Sequence, residues 1–475
     1  MTERTRMALT ACGITALAAP LLAFLFLRAV PQLDPAIMAS TFHFYVVGFT
    51  ALASAIASAI VMASARTLRE TRLLFLGLAF FSIAGIFSVH GLLTPGFIVD
   101  EFYKTLSVSA WLSVAAGAGF VALSAVGLPR RVEHVIEAHG RVFLGVAVAL
   151  IATYITLSFM ESTGHWLDWM PTDKRSVQFL VVLGSMGLTG FGMWRYYQAY
   201  QFARLPSQLA LVAALAILVE VQVIVLWGQT WHLSWWFYHG LYGVAFLVLF
   251  AGWALEVRRA GTLRAIADAL SMRDALAQLN RGLEAPIVEL VDAVEAKDRE
   301  TFGHVRRVSA YALSIGKRLG LSPSELRSLA LAAEMHDVGK ISVPDWILAK
   351  PGPLTDEEFA VVKTHTVRGH EIARQVPPLK PLASIIRAHH ERLDGSGYPD
   401  GLAGQEIPLP SRIIAVADTY DAMTSKRPYR DAMSHEDAMA ELLRLRGVQL
   451  DSQCVDAFAG VIVEWQTQAS ERAVA

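Results

Sequence analysis

Two hydrophobic patterns divide the chain. Up to about residue 256, apolar residues come in long runs near 9–30, 41–64, 73–93, 107–128, 142–160, 177–198, 208–228 and 236–256. Each run is long enough to cross a bilayer as a helix. Beyond residue 257 the runs shorten to the spacing of amphipathic helices. Ser322 precedes Pro323 with Glu325 three residues after the cap, and Thr355 stands in the same relation to Glu358. Both are capping-box signals for helix starts. No alternating strand pattern or hairpin signal interrupts the C-terminal half. The pattern predicts an all-α chain: an eight-span transmembrane helical bundle over 1–256, a helical linker over 257–285, and an all-helical domain over 286–475.

In the linker, Leu263, Ile266 and Leu270 form one helical stripe, which Met272, Leu276, Leu279 and Leu283 continue after a slip. The stripe fits a homodimer contact with a second copy or a lone amphipathic helix packed on its own chain. The first apolar run is longer than a signal-peptide core and has no A-x-A-like end, so it is read as a span.

Composition agrees with a membrane protein: 54% of residues are hydrophobic, 17% are charged and mean hydropathy is +0.42. A net charge of −1 gives no basic field for a nucleic acid polymer. The only cysteines are Cys12 and Cys454, too few for a disulfide framework. With the N-terminus inside, inner connections hold clusters such as Arg130, Arg131 and Arg141, or Arg258, Arg259 and Arg264. Outer ones hold only Arg28, Lys104, Lys174 and Arg175. The positive-inside bias and the even number of spans predict an inner-membrane, multi-pass protein with both termini cytoplasmic.

The C-terminal domain carries ligand chemistry. His336 and Asp337 are adjacent in "AEMHDVGKISVP"; Glu300 and His304 lie upstream, and His365, His389, His390 and Asp418 downstream. Glu300 and His304, four residues apart, share a helical face. The others fall on different predicted helices or helix ends, so a bundle pointing them inward would assemble a metal site. Imidazole and carboxylate without thiolate suit iron, manganese or another first-row ion. So many donors fit two divalent ions, with a third possible, and a two-metal site suits displacement at phosphorus. His370, off the face of His365, is read as an ordinary surface histidine.

The segments "KDRETFGHVRRV", "HDVGK", "HHERLDGSGYP" and "ADTYDAMTSKRPYR" together resemble the HD-GYP subgroup of the HD phosphohydrolases over about 286–467. The resemblance implies metal-assisted hydrolysis of cyclic di-GMP to linear pGpG, with GMP a further product. It implies binuclear ligands at His336, Asp337, His365, His389, His390 and Asp418, with Asp337 bridging. Glu300 and His304 match extra ligands of members with a third ion. Lys340 matches a phosphate contact, and His336, Asp337 and Lys340 together make the catalytic set. Arg427 and Arg430 match a cationic pair near the substrate, and Tyr398 offers a ring to a base. GGDEF-type proteins are candidate partners, since no GGDEF-like segment lies within the chain. Three other readings stay open: a receptor that binds the nucleotide without turnover, a hydrolase of another cyclic dinucleotide, and a transporter.

In the membrane half, His43, His90, His232 and His239 fall near the predicted outer face, with Glu220 mid-span. Trp166, Trp169, Trp231, Trp235 and Trp236 crowd the same side. Interfacial anchoring, a metal or haem site, and a small-ligand pocket are the competing readings.

Overall fold

The computed structural model describes residues 3–474 apart from 69, 97–98, 100–102, 165–170, 172–173, 272–288, 291–292, 295–296, 298–302, 351, 378 and 426–431. Glu300, Arg427, Arg430, Trp166, Trp169 and the linker stripe from Met272 to Leu283 lie outside the described residues. Two compact units emerge: Met1–Tyr200 with Arg204–Arg273, and Gln201–Ala203 with Asp274–Ala475. Among the described residues there is no β-strand, only isolated bridges.

The first unit contains α1 (Glu3–Ala29), α2 (Ser40–Leu68), α3 (Thr71–Leu92), α4 (Lys104–Ala125), α5 (Arg130–Gly164), α6 (Arg175–Ala203), α7 (Pro206–Trp227), α8 (Leu233–Ala260) and α9 (Arg264–Ser271). Helices α2 to α8 supply 7 segments long and apolar enough to cross a membrane. In α1, the apolar stretch among the described residues is the shorter Leu17–Ala29. Leu150 and Leu180 stand 66% and 67% exposed on α5 and α6, surfaces that suit lipid rather than water.

Small polar residues let the helices approach. On α2, Ser54 Oγ donates to the Phe80 carbonyl of α3 at 2.7 Å, and Ser58 Oγ to that of Gly77 at 2.9 Å. Leu73, Leu76, Phe87, Tyr242 and Trp253 fill the core. Ile266 and Leu270 of α9 join that same core while Leu263 stays exposed. Two of the three described stripe residues, Ile266 and Leu270, therefore pack on their own chain.

At one end of the bundle, a loop is clasped to the start of α8. The Asp34 carboxylate accepts from Ser234 N and from Ser234 Oγ, both at 2.7 Å. Negative charge there satisfies the unpaired amide of a helix N-terminus.

The second unit contains α10 (His304–Arg318), α11 (Pro323–Met335), a 3₁₀ turn (Val338–Ser342), α12 (Asp345–Leu348), α13 (Asp356–Gln375), α14 (Ala383–Arg387), α15 (Leu409–Thr424), α16 (His435–Leu445) and α17 (Ser452–Val474). Both capping boxes form: Ser322 N donates to Glu325 Oε2 at 2.8 Å, and Thr355 N to Glu358 Oε2 at 2.7 Å. Val308, Leu329, Ile413, Ile414, Val416 and Phe458 make the apolar core. The donors described next converge from the helix ends and turns around it.

Candidate metal centre

The second unit brings together seven of the eight sequence-predicted ligands, in two groups. Asp337, His365, His389 and His390 form one; His304, His336 and Asp418 form the other. Within each group the donor atoms lie within 4.8 Å of one another. His336 ends α11 and Asp337 opens the 3₁₀ turn, so adjacent residues feed different groups. His365 comes from mid-α13, His389 and His390 from the turn after α14, and Asp418 from α15.

Close backbone approach makes the assembly possible. A Cβ at Gly339 would fall 1.9 Å from the His365 carbonyl oxygen, so only glycine lets the turn lie against α13. At Gly397, a Cβ would fall 2.4 Å from Arg392 N, which explains a glycine in the loop after His390.

Second hydrogen bonds fix which nitrogen of each ring faces the centre. Nδ1 of His336 donates to the Ala333 carbonyl at 2.7 Å, that of His365 to Val362 at 2.7 Å, and that of His389 to Ile386 at 2.6 Å. A carbonyl only accepts, so each Nδ1 carries the hydrogen and each neutral ring presents the Nε2 lone pair. Yet His365 Nε2 and His389 Nε2 are 3.3 Å apart, and buried His336 Nε2 has no hydrogen-bond partner. Inward-facing lone pairs left unmatched are what a cation would satisfy, so the residues fit a metal.

Electrostatics differ between the two groups: burial keeps the histidines of the first neutral, whereas, against burial, the carboxylates beside His304 and His336 raise both. Burial pushes His365 and His389 down and takes His390 to about 4, keeping these rings in the neutral, ligating form. Burial alone would raise Asp337, but Lys340 and His336 hold its carboxyl well below the usual range. Burial would likewise lower His304, yet hydrogen bonds to Asp418 and Asp421 lift it to about 9.

Substrate-side expectations find these places. Lys340 Nζ rests 2.8 Å from Asp337 Oδ2, at the edge of the first group. The Tyr398 ring lies 4.9 Å from that of His390, tilted 34°. His370 departs from the surface reading. It is half-buried, and its Nδ1 donates to the Ala383 carbonyl at 3.0 Å, tying α13 to α14.

Sequence reading missed two buried acids. Asp421 accepts from His304 Nδ1 at 2.7 Å and from Arg307 Nε at 2.6 Å, orienting His304 toward Asp418. Its spacing of three from Asp418 on α15 was the available signal. Glu391 accepts from Asp400 N at 2.7 Å and Leu402 N at 3.1 Å, bracing the loop that carries Tyr398.

In the membrane-type unit, His43, His90 and His239 converge, whereas His232 caps α8 and bonds the Thr230 carbonyl instead. Glu220 is not part of that group.

Comparison with known proteins covers the second unit. Residues 290–454 match the family described as HD domain. The cyclic di-GMP phosphodiesterase response regulator RpfG of Xanthomonas campestris pv. campestris is 46% identical over 170 residues, 35% of this chain and 45% of that protein. A cyclic di-GMP phosphodiesterase of Thermotoga maritima is 43% identical over 175 residues, 36% of this chain and 48% of the relative. The 3'3'-cGAMP-specific phosphodiesterase 2 of Vibrio cholerae is 41% identical over 172 residues, 36% of this chain and 33% of the relative. The chain thus spans less than half the length of each relative. Across residues 290–454, from before α10 to the start of α17, this protein carries a member of the HD domain family.

Proposed function

We propose that the chain is a membrane-anchored, metal-dependent phosphodiesterase that opens a cyclic dinucleotide, with cyclic di-GMP the first candidate substrate. The observation that carries the reading is the pair of adjoining His/Asp groups, joined at His336–Asp337. The names of the relatives supply the substrate class.

His336, Asp337, His365, His389, His390 and Asp418 would hold two ions, and Glu300 and His304 would add donors for a third. Donors of imidazole and carboxylate favour iron or manganese. Bound metal would supply an activated water and charge neutralisation at phosphorus. Lys340, now paired with Asp337, is positioned to turn its ammonium to a phosphate oxygen. Tyr398 would stack on a purine, and Arg427 and Arg430 would grip phosphate or a guanine edge. The 3′ oxygen leaves and takes a proton, giving linear pGpG and, after a second cut, GMP. The first unit would sit in the inner membrane with both termini cytoplasmic and regulate the second.

A second reading is cleavage of 3'3'-cGAMP, favoured by the Vibrio cholerae relative. The test is turnover by purified, metal-loaded full-length protein, with cyclic di-GMP and 3'3'-cGAMP side by side and nucleotide products identified. Hydrolysis of cyclic di-GMP supports the first reading, and hydrolysis of 3'3'-cGAMP alone replaces the substrate. Tight binding of either without turnover sinks the enzyme and leaves a receptor.

A further inference from the structure

The membrane-type unit holds a second constellation of metal-ligating side chains, far in sequence from the HD domain. His43 comes from the first turn of α2, His90 from the end of α3, and His239 from the second turn of α8. All three are buried, at 1%, 3% and 1% exposure. Their Nε2 atoms form a triangle: His43 to His239 at 2.8 Å, His43 to His90 at 3.2 Å, and His90 to His239 at 3.3 Å.

Proton placement makes the triangle informative. His90 Nδ1 donates to the Leu106 carbonyl at 2.7 Å, and His239 Nδ1 to that of Trp235 at 3.3 Å. His43 Nδ1 lies 2.9 Å from Thr94 Oγ1, which is also within hydrogen-bonding reach of the His90 carbonyl. The hydroxyl can accept from His43 Nδ1 or donate to it, so the hydrogen of His43 sits on Nδ1 or on Nε2. With the hydrogen of His43 on Nδ1, all three neutral rings aim a bare Nε2 lone pair at one point. The Tyr238 hydroxyl, 3.0 Å from His90 Nε2, can donate to one nitrogen and not to three. Uncompensated lone pairs in a buried site are strongly unfavourable. No carboxylate belongs to the group, so a lone imidazolium there would be a buried charge without a counter-ion.

We propose that His43, His90 and His239 bind a single first-row transition-metal ion through their three Nε2 atoms. Tetrahedral coordination with bonds of about 2.0–2.1 Å sets nitrogens roughly 3.3–3.4 Å apart, close to the two longer edges. Neutral imidazoles without thiolate suit zinc, copper, iron or nickel. Hydrogen bonds on every Nδ1 are the outer-sphere support that such ligands take. Two of these nitrogens do not fit as opposite axial ligands of a haem, which stand roughly 4 Å apart, each about 2 Å from the iron. His43, His90 and Tyr238 border a cavity of about 260 Å³, which leaves room for an exogenous fourth ligand. Such an ion would pin α2, α3 and α8 together and make their packing depend on its presence. This site stands independently of the substrate proposed for the HD domain.

The test uses the full chain in detergent with Co²⁺ as probe. A His336→Ala, His365→Ala, His389→Ala background leaves the first C-terminal group only Asp337 and His390, and the second only His304 and Asp418. After gel filtration this protein is expected to retain about one cobalt per chain, with the intense visible absorption of a tetrahedral ion. Adding His43→Gln and His239→Gln should remove that equivalent and its colour while helicity and elution stay the same. Equal cobalt content in both proteins would overturn the site. X-ray absorption on the background protein needs no change to the triad. A shell of three imidazoles supports the assignment, and an oxygen-dominated shell overturns it.

Discussion

His365 Nε2 lies 3.3 Å from His389 Nε2, although both rings have committed their only hydrogen to a backbone carbonyl. Two neutral imidazoles approach in this way when something positive is meant to lie between them. His365→Ala or His389→Ala should therefore cut bound metal and phosphodiesterase turnover together. The loss should exceed the ~10–100-fold that follows removal of an outer-sphere partner. Metal analysis and product chromatography on the same sample check this, and full turnover at reduced metal content would refute it. A strong chelator should mimic the variants in the unmodified protein, with activity restored by Fe²⁺ or Mn²⁺.

Asp421 acts one step further out. It holds His304 and Arg307 at once, so Asp421→Asn keeps the shape and removes the charge that fixes the His304 ring. The expected result is a ~10–100-fold weaker metal affinity by chelator competition, with KM changed little once metal is saturating. A merely structural role would instead lower the unfolding temperature and leave the chelator titration unmoved.

Gly339→Ala tests the close approach between the 3₁₀ turn and α13. Its methyl would meet the His365 carbonyl oxygen, a backbone atom that cannot step aside. Overpacking of this kind costs about 1–3 kcal/mol, and here the upper end is expected. Thermal unfolding followed by fluorescence should shift downward, and activity should fall because His365 is displaced.

Stability against pH has a readable contribution from Asp451. Burial would raise its carboxyl, but Arg412 Nη1 at 2.6 Å and the backbone amides of Cys454 and Gln453 hold it below the ordinary value. A depressed folded pKa adds stability that is full above the unfolded value of about 3.9. That stability is lost as pH falls through the folded value. Asp451→Asn should cost about 1–3 kcal/mol at pH 7 and progressively less in acid. Urea midpoints at pH 7 and below pH 4 decide it; an equal loss at both would be inconsistent with the linkage.

Much of the C-terminal fold was legible because its signals are local. Ser322 with Glu325 and Thr355 with Glu358 announce helix starts within four residues, and both boxes form. The ligands were legible as residue types, and seven of them meet. What sequence could not give was their division into two groups, since that depends on which way each helix end turns. Asp421 and Glu391 were passed over because acids in helices and turns are usually solvated, and only the fold buries them. The membrane triad shows the same limit. His43, His90 and His239 could be assigned to one end of the bundle, but His232 had equal claim until the rotation of each helix was known.

His336 and Asp337 are consecutive, yet each serves a different donor group. One residue inserted between them would leave His336 at the end of α11 while shifting Asp337 and the 3₁₀ turn that follows. The two clusters would then be displaced from one another at the one peptide that joins them. The peptide between them is a shared hinge pin, and its length sets the spacing of the two clusters.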